Sequence, residues 1–178
     1  MKTMFWNVDT LVDFMHEDGK LYVPEAESLE PNLEKLTAIA KDYGINVVNV
    51  ADSHDEDSIE LSDNPDYVTT FPPHCMYGTI GANYVSATTP EDAYTADWRE
   101  SLDEKAVEEH RNIVLTKNDF DVFHEERGSP HVNRVMEILD SGRAVVYGVA
   151  ANVCVNFAVE GLLERGIEVY VVADAIKG

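Results

Sequence analysis

A thiol, an ammonium group and a carboxylate each stand beside a short apolar run of this chain, on Cys154, Lys117 and Asp9. If the three groups meet, the carboxylate can accept the thiol proton and the ammonium group can stabilise the thiolate, which can then attack a carbonyl carbon. The same positions also suit a packing cysteine and an ordinary salt bridge at the strand ends. The residue types therefore indicate a cysteine nucleophile but leave both alternatives open.

The segment GVAANVCV places Cys154 between a predicted strand and the first turn of a predicted helix. Backbone N–H groups and the helix dipole favour an anion at such a position. We therefore expect the Cys154 thiol to ionise more readily than a free cysteine, whose pKa is about 8.5.

A second group of residues could bind a metal ion. Asp52 and His54 are two positions apart on a predicted extended segment, so both side chains can project from one face. His74, in the motif FPPH, can return to them from further along the chain. One carboxylate and two imidazoles suit a divalent metal in an open catalytic site, although a polar loop without a metal is the alternative.

These residues need a scaffold that brings strand ends together, and the apolar pattern predicts one. The chain contains five short runs typical of strands buried on both faces, at 3–8, 45–51, 112–116, 144–149 and 168–172. In a parallel sheet, ligands bind at the carboxyl ends of the strands, where the polar residues named above would lie.

Helical periodicity separates these runs. One helix is expected between Asn32 as its N-cap and Gly44 as its stop, a second around 131–139 and a third over 155–164. About five strands alternating with helices predict an α/β fold, a Rossmann-like three-layer sandwich whose mainly parallel sheet is flanked by helices. The stretch 52–109 is rich in Pro, Asp, Ser and Gly and predicts a long irregular active-site insertion in a single domain, 1–178.

Composition excludes several classes of partner. Lys and Arg total 13 against 34 Asp and Glu, and this net charge of −21 argues against nucleic acid and mildly favours a neutral substrate. The first residues lack the apolar run of a signal peptide, and no run approaches the ~20 apolar residues that span a bilayer. We therefore expect no membrane partner and a cytoplasmic location, with both cysteines free.

With these positions assembled, the chain resembles the isochorismatase-like cysteine hydrolases, and within them the nicotinamidase/pyrazinamidase group. The resemblance spans nearly the whole chain, and the order and spacing of its motifs are specific together. The matching motifs are VDTLVDF around Asp9, ADSH at 52–54, FPPHCMYGTIGA at 71–82, TKNDFDVF at Lys117 and GVAANVCV at Cys154.

The resemblance implies a catalytic triad of Asp9, Lys117 and Cys154 that hydrolyses nicotinamide to nicotinate and ammonia through a thioester. It also implies an oxyanion hole from the backbone N–H groups of Ala150 and Cys154, beside a cis peptide bond at 149–150.

The resemblance further implies a divalent metal, zinc, iron or manganese, held by Asp52, His54 and His74 and bound to the pyridine nitrogen of the substrate. A homo-oligomer is a further expectation from the family. The substrate pocket is expected to include Phe14, Leu11 and Val149.

Three departures from the family pattern bear on metal and substrate. A further metal-ligand histidine is absent, and Asp57, Ser58 and Glu60 stand in its region instead. Leu11 replaces a common glutamine and Asn152 a common aspartate, which leaves another small amide or ureido compound as an alternative substrate. The end at Gly178, just after ADA, leads us to expect that part of the edge of the fold is missing.

Two other functions stay open from the sequence. A catalytically silent homologue could use the same pocket to bind a metabolite. Isochorismate hydrolysis ranks third, because that reaction does not use the cysteine and its substrate is an anion.

Overall fold

One parallel β-sheet organises the chain, and the computed structural model describes residues 1–178. Its six strands follow the order β3-β4-β2-β1-β5-β6, and every neighbouring pair is parallel. The strands are β1 (Thr3–Val8), β2 (Val47–Asp52), β3 (Ala93–Ala96), β4 (Asn112–Lys117), β5 (Arg143–Val149) and β6 (Glu168–Lys177).

Helices cover both faces of the sheet. They are α1 (Val12–Met15), α2 (Glu30–Asp42), α3 (Glu104–Glu109), α4 (Val132–Leu139) and α5 (Cys154–Glu164), with 3₁₀ turns at Ala26–Leu29 and Ile80–Ala82. Alternate residues of β1 point to opposite faces: Trp6 belongs to the core shared with α4 and α5, and Phe5 to the core shared with α2. The predicted three-layer α/β architecture is confirmed.

Several elements differ from the sequence prediction. The first long helix begins at Glu30, so Asn32 lies inside it and is not its N-cap; Pro31, already fixed near helical φ, suits the first turn. The stretch 52–109 is not wholly irregular, because it contains β3 and α3. Strand β3 brings the number of strands to six, and it escaped prediction because it is a four-residue edge strand with only one buried residue.

The strand order determines which residues can meet. Strands β4, β2, β1 and β5 are consecutive neighbours, so their carboxyl ends form one continuous edge. Asp52 of β2 pairs directly with Lys117 of β4. Residues that follow β1 and β5 therefore lie beside the ends of β2 and β4.

No helix in the structure has both the length and the apolar character needed to cross a membrane. The cytoplasmic location stays a prediction.

Candidate active site

Asp9, Lys117 and Cys154 converge at the carboxyl edge of the sheet, and all three are buried. Asp9 follows β1, Lys117 ends β4, and Cys154 opens α5 after the turn that leaves β5. The Lys117 Nζ lies 3.0 Å from Asp9 Oδ2 and also donates a hydrogen bond to Asp52 Oδ1. Lys117 therefore bridges two carboxylates: Asp9, which follows β1, and Asp52, which ends the neighbouring strand β2.

Burial controls the protonation of these groups. It raises the pKa of Asp9 from its usual value to about 6, against the attraction of Lys117, which lowers it. Burial alone would raise the pKa of Asp52, but Lys117, His54 and His74 together hold that pKa well below its usual range. Burial likewise opposes the charged form of Lys117, yet Asp52 and Asp9 outweigh it and keep the pKa of the lysine well above its ordinary value.

The Cys154 thiol does not have the low pKa that its position before a helix predicts. Burial raises the pKa of this thiol well above its ordinary value; Lys117 opposes the shift, and the charges of Asp9 and Asp52 add to it. The resting thiol is therefore protonated, and the prediction from the helix dipole was wrong. The reactive atoms of Asp9, Asp52 and Cys154 lie within 4.8 Å of one another. Asp9 is thus an available proton acceptor near this thiol.

Beside this group lies a buried cluster of four metal-ligand types, Asp52, His54, Glu60 and His74. The Nε2 atoms of both histidines lie 3.6 to 3.7 Å from Asp52 Oδ2 and from Glu60 Oε1. These separations exceed hydrogen-bond length, so the four groups face one another without bonding directly. The arrangement resembles a ligand shell more than a hydrogen-bonded network.

Two buried atoms of this cluster support its fit to a cation. His54 Nε2 and Glu60 Oε2 have no hydrogen-bond partner, and leaving buried polar atoms unpaired costs about 1–3 kcal/mol each. The proton of His74 is on Nδ1, because this atom donates to the Pro72 carbonyl at 2.8 Å, so the Nε2 lone pair faces the cluster. Two imidazoles and two carboxylates are a suitable donor set for zinc, iron or manganese.

Glu60 is the member of this cluster that sequence reasoning did not select. It lies in a loop that pairs with the FPPH arm: the Phe71 N–H donates to the Glu60 carbonyl, and the Ser62 N–H donates to the Phe71 carbonyl. This pairing carries the Glu60 side chain to His74. Burial, and next the negative charge of Asp52, raise the pKa of Glu60 to about 7. The acidic replacement for the absent family histidine was visible in the sequence, but its position was not.

Asp13 is a second residue that the sequence did not single out. Its Oδ2 accepts a 2.7 Å hydrogen bond from the Cys75 N–H, and its Oδ1 accepts one from the Lys20 N–H. Cys75 follows His74 directly and has a left-handed backbone, with φ of +43°. A carboxylate on α1 thus holds the arm that carries one of the clustered histidines.

A cavity of about 230 Å³ opens onto both groups of residues. Three phenylalanine rings contribute to its lining, from Phe14, Phe71 and Phe120, and the reactive side chains of Cys154, Asp52, Glu60 and His74 reach it as well. The Phe14 ring packs against the His74 ring at a centroid distance of 5.3 Å. The cavity is therefore suited to a small, flat, largely apolar molecule with one polar group.

Of the three residues predicted to form the substrate pocket, only one lines the cavity. Phe14 lines the cavity, whereas Leu11 and Val149 are fully buried in the core with α2 and do not line it. Ala150 and Cys154, the predicted oxyanion-hole residues, both line the cavity, and the peptide bond between Val149 and Ala150 is cis, as the resemblance implied. Asn152 also borders the cavity.

The isochorismatase domain family matches residues 3–178, nearly the whole chain. The chain belongs to the isochorismatase family. As an isochorismatase-like hydrolase, it is 29% identical over 177 residues to the nicotinamidase/pyrazinamidase of Mycobacterium tuberculosis (strain ATCC 25618 / H37Rv), a match that covers 96% of this chain and 84% of the relative.

Solved structures with a similar fold include a pyrazinamidase and an N-carbamoylsarcosine amidase. The pyrazinamidase of Pyrococcus horikoshii in complex with zinc is 25% identical with a TM-score of 0.76, covering 100% of this chain and 87% of that chain. The N-carbamoylsarcosine amidase of Thermoplasma acidophilum is 23% identical with a TM-score of 0.76, covering 100% and 85%, and it supports the fold.

Proposed function

We propose that this isochorismatase-like hydrolase is a cysteine amidohydrolase that cleaves nicotinamide to nicotinate and ammonia. The observation that carries the proposal is the meeting of Asp9, Lys117 and Cys154 beside an aromatic cavity that the Asp52–His54–Glu60–His74 cluster also borders. The matching relative from Mycobacterium tuberculosis, a nicotinamidase/pyrazinamidase, supports the same substrate class.

Acylation begins with proton transfer from the Cys154 thiol to the Asp9 carboxylate. The sulfur attacks the carboxamide carbon, and the carbonyl electron pair moves to oxygen, where the backbone N–H groups of Ala150 and Cys154 are proposed to stabilise it. When the carbonyl re-forms, the C–N bond breaks, Asp9 returns its proton to nitrogen, and ammonia leaves. The product of this half-reaction is a thioester on Cys154.

Deacylation uses the same carboxylate a second time. Asp9 accepts a proton from water as the water oxygen attacks the thioester carbon, and the C–S bond then breaks. The thiolate takes the proton from Asp9, and the carboxylic acid leaves and gives its own proton to solvent. Lys117 stays charged throughout and limits the cost of the second buried negative charge.

Asp52, His54, Glu60 and His74 would hold a divalent metal ion. A bound ion would supply a Lewis acid for a ring nitrogen of the substrate, and this contact would orient the amide toward Cys154. The aromatic walls would hold the ring of a neutral substrate, and the chain's net charge of −21 disfavours anions such as isochorismate.

Ammonia release from nicotinamide tests the proposal directly. Cys154→Ala is expected to abolish turnover, whereas Cys75→Ala, which removes a fully buried thiol outside the cavity lining, is expected to keep it. Benzamide, which lacks the ring nitrogen, is expected to react more slowly than nicotinamide. Turnover that survives in Cys154→Ala would refute the mechanism.

The outcome with other substrates separates the remaining alternatives. Faster turnover of a ureido compound than of nicotinamide would assign the chain to that substrate class. Nicotinamide binding by calorimetry without ammonia release would identify a silent homologue.

A further inference from the structure

The hydrogen bonding between β2 and β4 continues past the last residues of the two strands. Asp52 and Lys117 are paired in register, and the ladder continues one step further because the Ser53 N–H donates to the Lys117 carbonyl at 3.0 Å. The residue after Lys117 consequently lies close to the residue after Ser53. This brings Asn118 to His54.

Asn118 contacts the histidine on the side away from the cluster. Its Oδ1 lies 3.0 Å from His54 Nδ1, while His54 Nε2 faces Asp52 and Glu60 without a hydrogen-bond partner. An amide oxygen can only accept, so this contact requires the imidazole proton to be on Nδ1. The lone pair is then on Nε2 and directed into the cluster.

The second neighbour of His54 Nδ1 cannot fix the proton in the same way. Ser58 Oγ lies 3.1 Å from this nitrogen, but a hydroxyl group can either donate or accept. Ser58 therefore accommodates either tautomer, whereas Asn118 selects one.

Asn118 is itself held in place by the loop that follows β4. Its N–H donates to the Arg127 carbonyl at 3.1 Å, and the Arg127 Nε lies 3.1 Å from Oδ2 of the fully buried Asp119. The Asp121 N–H occupies the other oxygen of Asp119. The loop is thus closed by groups that do not belong to the cluster, which gives Asn118 a fixed position.

We propose that Asn118 is a positioning residue that fixes the Nδ1–H tautomer and the ring orientation of His54, and so presents the Nε2 lone pair to a divalent metal. This inference rests on the metal-assisted function proposed above and adds to it a residue outside the ligand set. Lys117 and Asn118, adjacent in the chain, then hold Asp52 and His54, which are two positions apart.

The tautomer of His54, measured in metal-free protein, tests the proposal directly. Long-range ¹H–¹⁵N NMR of metal-free protein labelled at histidine is expected to show His54 with its proton on Nδ1 in the wild type and in Asn118→Asp, which keeps an acceptor. Asn118→Ala is expected to lose this preference. A His54 that keeps the Nδ1 proton in Asn118→Ala, or that carries it on Nε2 in the wild type, would overturn the proposal.

Metal affinity provides the second readout. Competition with a chromophoric chelator is expected to show Zn²⁺ and Co²⁺ binding weakened about 10–100-fold in Asn118→Ala. Asn118→Asp is expected to match or exceed the wild type, and Ser58→Ala to lose less than Asn118→Ala. Asn133→Asp adds the same charge on the exposed side of α4 and serves as the matched control.

The two readouts keep failure of the inference distinct from failure of the proposed function. A wild type that binds neither ion but has the Nδ1–H tautomer contradicts the metal-assisted function and supports the positioning role. A wild type that binds Zn²⁺, with equal affinity in Asn118→Ala, refutes the positioning role alone. Urea unfolding of each variant verifies that the fold is retained.

Discussion

The carboxylate of Asp13 lies against the backbone of Gly81, in the space that a β-carbon at position 81 would occupy. This close approach allows Asp13 to reach the Cys75 N–H and hold the arm that bears His74. Glycine is required here by contact with a neighbouring side chain and not by a left-handed φ.

Gly81→Ala is therefore expected to destabilise the protein by about 1–3 kcal/mol, because the methyl group displaces a buried hydrogen-bonded carboxylate. Urea unfolding measures the effect, and a double-mutant cycle with Asp13→Ala identifies its source. The cost of the methyl group should shrink when Asp13 is already truncated. An equal cost in both backgrounds would show that the methyl group acts elsewhere.

The pKa of about 6 for Asp9 predicts the acid limb of activity. Asp9 must be ionised to accept the thiol proton, so kcat/KM should fall about tenfold per pH unit below pH 6, whereas an ordinary aspartate would shift this fall to near pH 4. Asp42→Asn, on an exposed position of α2, should leave the limb unchanged. Metal content measured at each pH separates this titration from loss of the ion, and a midpoint near 4 would contradict the assignment.

Lys117→Met should destabilise the protein by about 3–5 kcal/mol at pH 8, because two buried carboxylates lose their shared cation. Without Lys117, the folded-state pKa of Asp9 should rise further above its unfolded value, and that of Asp52 should rise from below its usual range to above it. The loss of stability should therefore be complete above these pKa values and diminish as the pH falls toward them. Urea unfolding in EDTA at pH 8 and at pH 5.5 measures it.

Lys105→Met is the matched control for this substitution, because Lys105 forms an exposed i,i+4 pair with Glu109. It should change stability by less than about 0.5 kcal/mol. A loss in Lys117→Met that does not vary with pH would show that packing, and not charge, is responsible.

The protonated resting state of Cys154 predicts slow alkylation. At pH 7.5 iodoacetamide should modify Cys154 more slowly than free cysteine, since burial raises the pKa of the thiol. Cys75, fully buried and outside the cavity lining, should react only after unfolding. Mass spectrometry of the folded protein over time measures both rates. Alkylation of Cys154 faster than free cysteine would restore the helix-dipole interpretation.

The sequence predicted the residues whose position follows from the sheet alone. Asp9, Lys117 and Cys154 lie where strands end, and parallel strand ends must meet, so their convergence could be expected. Glu60 could not be selected, because its place depends on loop pairing with Phe71 and not on strand periodicity. The pKa of the Cys154 thiol was predicted wrongly for a related reason, since burial and two neighbouring carboxylates are properties of the tertiary structure.

The two halves of the site are encoded differently along the chain. The four clustered ligands lie between positions 52 and 74, three of them on one connecting segment after β2, whereas Asp9, Lys117 and Cys154 lie at or just beyond the ends of three separate strands. Exchange or gradual mutation of that single segment can therefore change which ion the site binds, or abolish metal binding. The sheet meanwhile keeps Asp9, Lys117 and Cys154 in place. Metal preference should consequently diverge faster among descendants of such a chain than the nucleophile does.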